Sequence, residues 1–135
     1  MNSIIRKSFL FVCLSFGILA CKDDDAPANT PPVFAITSPT DAQIEAGFVV
    51  GQTVQIAGTV TDNSEVETIV TSIYYNGFDT GQGETIQVGQ ASYSIDYSVQ
   101  IPSNAPAGTY RIVLLATDDE GLTASWDKTF QVRNQ

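Results

Sequence analysis

Six oxygen-bearing side chains fall in two short clusters: Asp62, Asn63 and Glu65 in the first, Asp118, Asp119 and Glu120 in the second. Carboxylate and amide oxygens are hard ligands. Calcium takes about six to eight of them, with no strict geometry. If the fold brings both clusters to one end, Asp62, Asn63, Asp118 and Asp119 are the candidate calcium ligands. The spacing is not that of an EF-hand loop. The same residues have a second use, because Asp and Asn cap tight turns by bonding their own backbone. A second candidate chemistry is sugar stacking on aromatic rings, with Tyr74, Phe78 and Trp126 as the platform. Trp126 shares its parity with Phe130 and Val132, which points it towards the core instead. Tyr93, Tyr97 and Tyr110 read as core rings with polar tips.

Other chemistries find no residues to carry them. The chain has no histidine, which removes the commonest general base at neutral pH. Its two cysteines are Cys13 and Cys21, neither in the globular part. No G-x-S-x-G elbow and no phosphate-cradling glycine loop occur. A glycosidase pair of carboxylates would need a cleft that raises one pKa, and about 100 residues of short strands leave no room for one. The expectation is a protein that is not an enzyme and needs no cofactor. Net charge is −9 at pH 7, with fifteen acidic residues. Such a surface repels nucleic acid and anionic headgroups. It suits cations, neutral glycans or a protein partner.

The elements that must position these residues are strands. From Val33 onward the apolar period is two, and no helical stripe of useful length appears. Phe34 and Ile36 alternate up to Ser38-Pro39, and Val54, Ile56, Gly58 and Val60 share one face. Ile69, Thr71, Ile73 and Tyr75 form the next inner set, with Val66, Val70 and Tyr74 leaving the parity open. Asn76-Gly77 is a two-residue hairpin turn, since both residues tolerate positive φ. Tyr93, Ile95, Tyr97, Val99 and Ile101 alternate cleanly, and so do Tyr110, Ile112, Leu114 and Ala116. Leu122, Ala124, Trp126, Phe130 and Val132 share the last parity, with Lys128 the exception. About seven strands with turn signals between them predict an all-β fold, an antiparallel immunoglobulin-like sandwich. In that topology the two acidic turns lie at one end.

Local motifs agree. Ala105-Pro106-Ala107-Gly108-Thr109-Tyr110 resembles the corner at which a Tyr hydroxyl bonds back to the preceding loop. Thr61-Asp62-Asn63-Ser64-Glu65-Val66 and Ala116-Thr117-Asp118-Asp119-Glu120-Gly121 resemble the turns of Ig-like, cadherin-like modules in bacterial surface lipoproteins. The resemblance covers residues 33–135 and implies a fold rather than an activity; many such proteins have no assigned function. Cadherin-like modules use acids at this end for calcium between successive domains, but here only a linker precedes the strands.

The N-terminal part reads separately. Arg6 and Lys7 precede an apolar run from Phe9 to Leu19, and Ala20 is small. This is the three-part pattern of a secretory signal peptide, too short for a span of about 20 residues. Ile18-Leu19-Ala20-Cys21 resembles a lipobox, which implies cleavage before Cys21 and lipidation of that residue. Lys22, Asp23 and Asp24 resemble the export signal that sends Bacteroidota lipoproteins to the outer face of the outer membrane. The expected organisation is therefore a signal peptide over residues 1–20, an acidic Pro-containing linker over 21–32 and a sandwich domain over 33–135. The mature chain would keep four basic residues against fifteen acidic ones, a net charge near −11. The expected partners are the membrane, through the lipid anchor, and a surface protein or glycan. The alternatives are a calcium-dependent adhesion module and a structural envelope protein.

Overall fold

Alternation of apolar and polar residues places every long strand of the molecule. The computed structural model describes residues 27–135. Their elements run β1 (Val33–Ser38), α1 (Asp41–Ala46), β2 (Phe48–Val49), β3 (Thr53–Tyr75), β4 (Phe78–Asp79), β5 (Thr85–Gln100), β6 (Gly108–Asp118) and β7 (Thr123–Arg133). The expected signal peptide, Cys21, Lys22, Asp23 and Asp24 lie outside the described residues.

The 23-residue β3 belongs to both layers. Its first part, Thr53–Thr61, pairs with β1 on one side and with Ser92–Gln100 of β5 on the other. Its second part, Val66–Tyr75, pairs with β6 and with β5 residues of the 85–90 segment. β7 pairs with β6, and its end pairs in parallel with β2. The register breaks between Thr61 and Val66, where β3 passes from one layer to the other. One hydrogen-bonded sheet of seven strands is thus folded on itself into a sandwich. Val54, Ile56, Val60, Ile95 and Val99 from one layer meet Ile69, Ile73, Ile112, Leu114 and Phe130 from the other.

The immunoglobulin-like, mostly antiparallel fold is as expected, but its strands are divided differently. The runs read as two separate strands, Val54–Val60 and Ile69–Tyr75, are one continuous element. A short helix also appears where none was expected. Thr40 caps α1 in a reciprocal box with Gln43, a signal that was present in the sequence as Thr-x-x-Gln. Glycine has a clear steric reason at Gly58, where an added Cβ would lie 2.4 Å from the Ala35 carbonyl oxygen of β1. The Asn76-Gly77 turn forms as expected, with φ of 47° and 86° and Tyr75 paired to Phe78.

The corner also forms. The Tyr110 hydroxyl donates to the Pro106 carbonyl at 3.1 Å, and its ring packs 5.0 Å from that of Tyr75. Burial pushes the Tyr110 phenol above its ordinary value of 10.0, with Tyr75 adding to the shift. The folded state thus favours the neutral phenol. That contribution is complete below the unfolded pKa and is lost as pH rises through the folded one. Tyr110→Phe is expected to cost about 0.5–1.5 kcal/mol at neutral pH and to flatten the alkaline loss of stability above about pH 10. Urea denaturation at the two pH values measures both effects. Identical stabilities at neutral pH would show the hydroxyl to be idle.

Candidate functional site

The topology brings the two acidic turns together. β6 runs antiparallel beside the second part of β3, which sets Val66 opposite Asp118. The Asp119 N–H donates to the Glu65 carbonyl at 3.2 Å, and Ser64 Oγ donates to Asp119 Oδ1 at 2.9 Å. Asp118 is fully buried. Its Oδ1 accepts the backbone N–H groups of Glu120 and Leu122, at 3.0 and 2.7 Å, and its Oδ2 accepts Asn29 Nδ2 at 2.8 Å. Asp62 Oδ1 accepts the Ser64 N–H at 2.7 Å, an Asx turn. Asn63 Oδ1 accepts both the backbone N–H and the hydroxyl of Thr30, at 3.0 and 2.7 Å, while its Nδ2 donates to the Ala28 carbonyl at 3.3 Å.

Turn chemistry therefore occupies most of the oxygens that a calcium ion would need. Among the described residues no three His, Cys, Asp or Glu side chains converge as a metal-ligating group. Among the described residues, two buried acceptors have no partner. Asp62 Oδ2 and Asn29 Oδ1 are shielded from solvent and have no hydrogen-bond partner. Each such group costs about 1–3 kcal/mol. Both are oxygens, so what they can accept is a hard cation or a donor. Nothing in the residue pattern points to Asn29, Thr30 or Ala28. They sit in a Pro-containing stretch that reads as linker, yet they are bonded to the domain.

The aromatic candidates separate. Phe78 is 78 % exposed beside the Asn76-Gly77 turn. Tyr74 lies opposite Arg111 in the register, with the guanidinium carbon 5.8 Å from the ring centre. Arg111 Nε donates to Asp127 at 3.0 Å. Tyr74, Gly77, Thr109, Arg111 and Thr129 surround an open cleft of about 320 Å³. Trp126 lies apart from this group. It is opposite Leu114 and half-buried against the core. Tyr93 and Tyr97 also pack partly buried against the core, as their parity implied.

The molecule is polar in its layout. Residues 27–33 and both acidic turns occupy one end. The Tyr75–Phe78 hairpin, the loop before β6 and the end of β7 occupy the other. The basic residues in the described part are Arg111, Lys128 and Arg133. Arg111 pairs with Thr129, towards the hairpin end, and Arg133 pairs with Val49.

Residues 19–133 match a protein family described as "Domain of unknown function (DUF4625)". No curated protein matches the chain. Among solved structures, it is similar to a Niemann-Pick type C2 protein from Japanese carpenter ant, with 8 % identity, 81 % of this chain and 96 % of that chain covered, and a TM-score of 0.53. That likeness is one of fold alone. Looser likenesses are to the PKD1 domain of Vibrio anguillarum Epp and to a CARDB domain from Pyrococcus furiosus solved in complex with di-metal ions. The first has 23 % identity, coverage of 80 % and 100 %, and a TM-score of 0.43. The second has 15 % identity, coverage of 78 % and 93 %, and a TM-score of 0.42. The family match spans most of the chain, strands and preceding segment alike, and the chain belongs to the DUF4625 family.

Proposed function

We propose that this protein is a non-catalytic interaction module, held by a lipid on Cys21 at the outer face of an outer membrane. It would bind a protein or glycan at the end away from the anchor. The observation that carries this reading is the opposition of the two ends. The segment leading back to Cys21 is bonded to the acidic turns at Asn29 and Thr30, while the exposed Phe78 lies at the far hairpin. The family match starts at residue 19, so Cys21 and the sandwich fall in one homologous unit. Eight residue steps from Cys21 to Asn29 reach at most about 28 Å. The acidic turns would then face the membrane closely and Phe78 would face outward.

Two substitutions test this. Cys21→Ser is expected to abolish labelling by a fatty-acid analogue and to release the protein from membranes; label persisting in the variant would remove the anchor. Phe78→Ser is expected to leave stability within about 0.5 kcal/mol, as for other exposed positions, while weakening binding of the protein to a glycan array or to intact cells.

A second reading, a calcium-dependent adhesion module, is favoured by the two unpaired oxygens, Asp62 Oδ2 and Asn29 Oδ1. Binding would be weak, on the order of 10⁻⁴–10⁻³ M as in extracellular modules. Millimolar calcium should then raise the melting temperature by mass action. Magnesium should do so less, and Asp62→Asn should blunt the response. Equal shifts with both ions, unchanged in Asp62→Asn, would leave these acids as turn residues only.

A further inference from the structure

We propose that a second cleft at the far end, between the Thr80–Gln82 turn and the Pro102–Pro106 loop, binds one neutral sugar residue. The proposal rests on the reading of this domain as an outward-facing interaction module and gives it a ligand class. The cleft measures about 280 Å³ and is lined by Ile73, Tyr75, Thr80, Gln82, Asn104 and Tyr110 among others. No charged side chain lines it, although the chain carries fifteen acidic residues and a net charge of −9. An ionic ligand therefore finds no counter-charge there.

Both lips are held in place. The Thr80 hydroxyl donates to the Ile73 carbonyl at 2.7 Å and accepts the Gln82 N–H at 3.3 Å. The Tyr75 and Tyr110 hydroxyls donate to the Ala107 and Pro106 carbonyls, at 3.3 and 3.1 Å. The cleft is thus formed before any ligand arrives, as binding sites usually are. The Gln82 and Asn104 amides are different. Both residues are exposed, and among the described residues the hydrogen bonds of the fold leave their side chains unused. Each amide offers donors and an acceptor together.

That combination decides the ligand. A sugar ring has an apolar C–H face for Ile73 and Tyr75 and hydroxyls that both donate and accept for the two amides. A purely apolar group would strip water from the amides without replacing its hydrogen bonds. A lipid chain would need depth, and the recess beneath the cleft offers only about 20 Å³, room for about one water.

The test is saturation-transfer NMR on the full-length protein in a sugar-free detergent, with free glucose, galactose, mannose and N-acetylglucosamine, and glucuronate as the charged control. A saturable signal from at least one neutral sugar is expected, with Kd on the order of 1 mM, and none from glucuronate. The Gln82→Ala/Asn104→Ala variant is expected to weaken binding about tenfold or more. In the unsubstituted protein, the backbone amide signals of Gln82 and Asn104 should move on titration, which decides the site even if the variant folds poorly. No signal from any neutral sugar, or shifts confined to other residues, would overturn the proposal. The anchor and the outward face would still be decided separately, by the Cys21→Ser and Phe78→Ser results.

Discussion

Ile112→Ala is expected to lower folding stability by about 2–5 kcal/mol through the cavity it leaves. Ile112 is 1 % exposed, in β6 between Ile73 of β3 and Lys128 of β7. β6 is held on both sides, so the surroundings have little room to collapse into the gap. Val113 points to the opposite face and is only partly buried. Val113→Ala should cost well under half as much, about 1 kcal/mol or less. Urea midpoints at unchanged m separate the two. A neutral Ile112→Ala beside a severe Val113→Ala would invert the inner and outer faces of β6. Domains of this size have only about 5–15 kcal/mol in total, so the larger loss would remove a substantial share of it.

Asp118→Ala should cost about 2–4 kcal/mol. The carboxylate accepts the Glu120 and Leu122 N–H groups and the Asn29 amide, and truncation leaves these donors without an acceptor in a buried place. Two consequences should follow. The Glu120 and Leu122 amides should exchange faster with solvent, and residues near Asn29 should become more open to proteolysis. Asp118→Asn keeps one acceptor oxygen for the backbone pair but sets an amide N–H₂ against that of Asn29, so it should lose less. A cost of Asp118→Ala below about 0.5 kcal/mol would mean that the turn and the N-terminal segment are held by other contacts.

Much of this architecture was legible in the residues. The inner faces of β5 and β6 follow from strict alternation, and the hairpin follows from Asn76-Gly77. The bond from Tyr110 to Pro106 follows from the Ala-Pro-Ala-Gly-Thr-Tyr run. The meeting of the acidic turns followed from topology once the sandwich was read. Other features were hidden for physical reasons. Asp62, Asn63 and Ser64 are turn formers, and the chain does reverse at the Asx turn of Asp62; what they hid is that strand backbone continues through that turn, so that β3 runs as one element from Thr53 to Tyr75. The six-residue α1 is shorter than any periodicity window and shows only in its cap. Lys128 broke the parity of β7 because its stem lies along the inner side while its ammonium reaches out to Asp41 of α1 at 2.8 Å. That contact holds the Asp41 carboxyl below its ordinary value. The role of Asn29 could not be read, since it depends on a partner 89 residues away.

The course of β1 sets how the molecule answers a pull. β1 starts at Val33, beside the acidic turns, and runs antiparallel to β3 through five paired positions, from Val33↔Thr61 to Ser38↔Ala57. Traction on the N-terminal side acts along the strand axis, perpendicular to the hydrogen bonds of the ladder. The bonds between β1 and β3 are then sheared together rather than peeled one after another. Rupture must slide a whole strand at once, so resistance to detachment is shared along β1 and does not fall on its first bond alone.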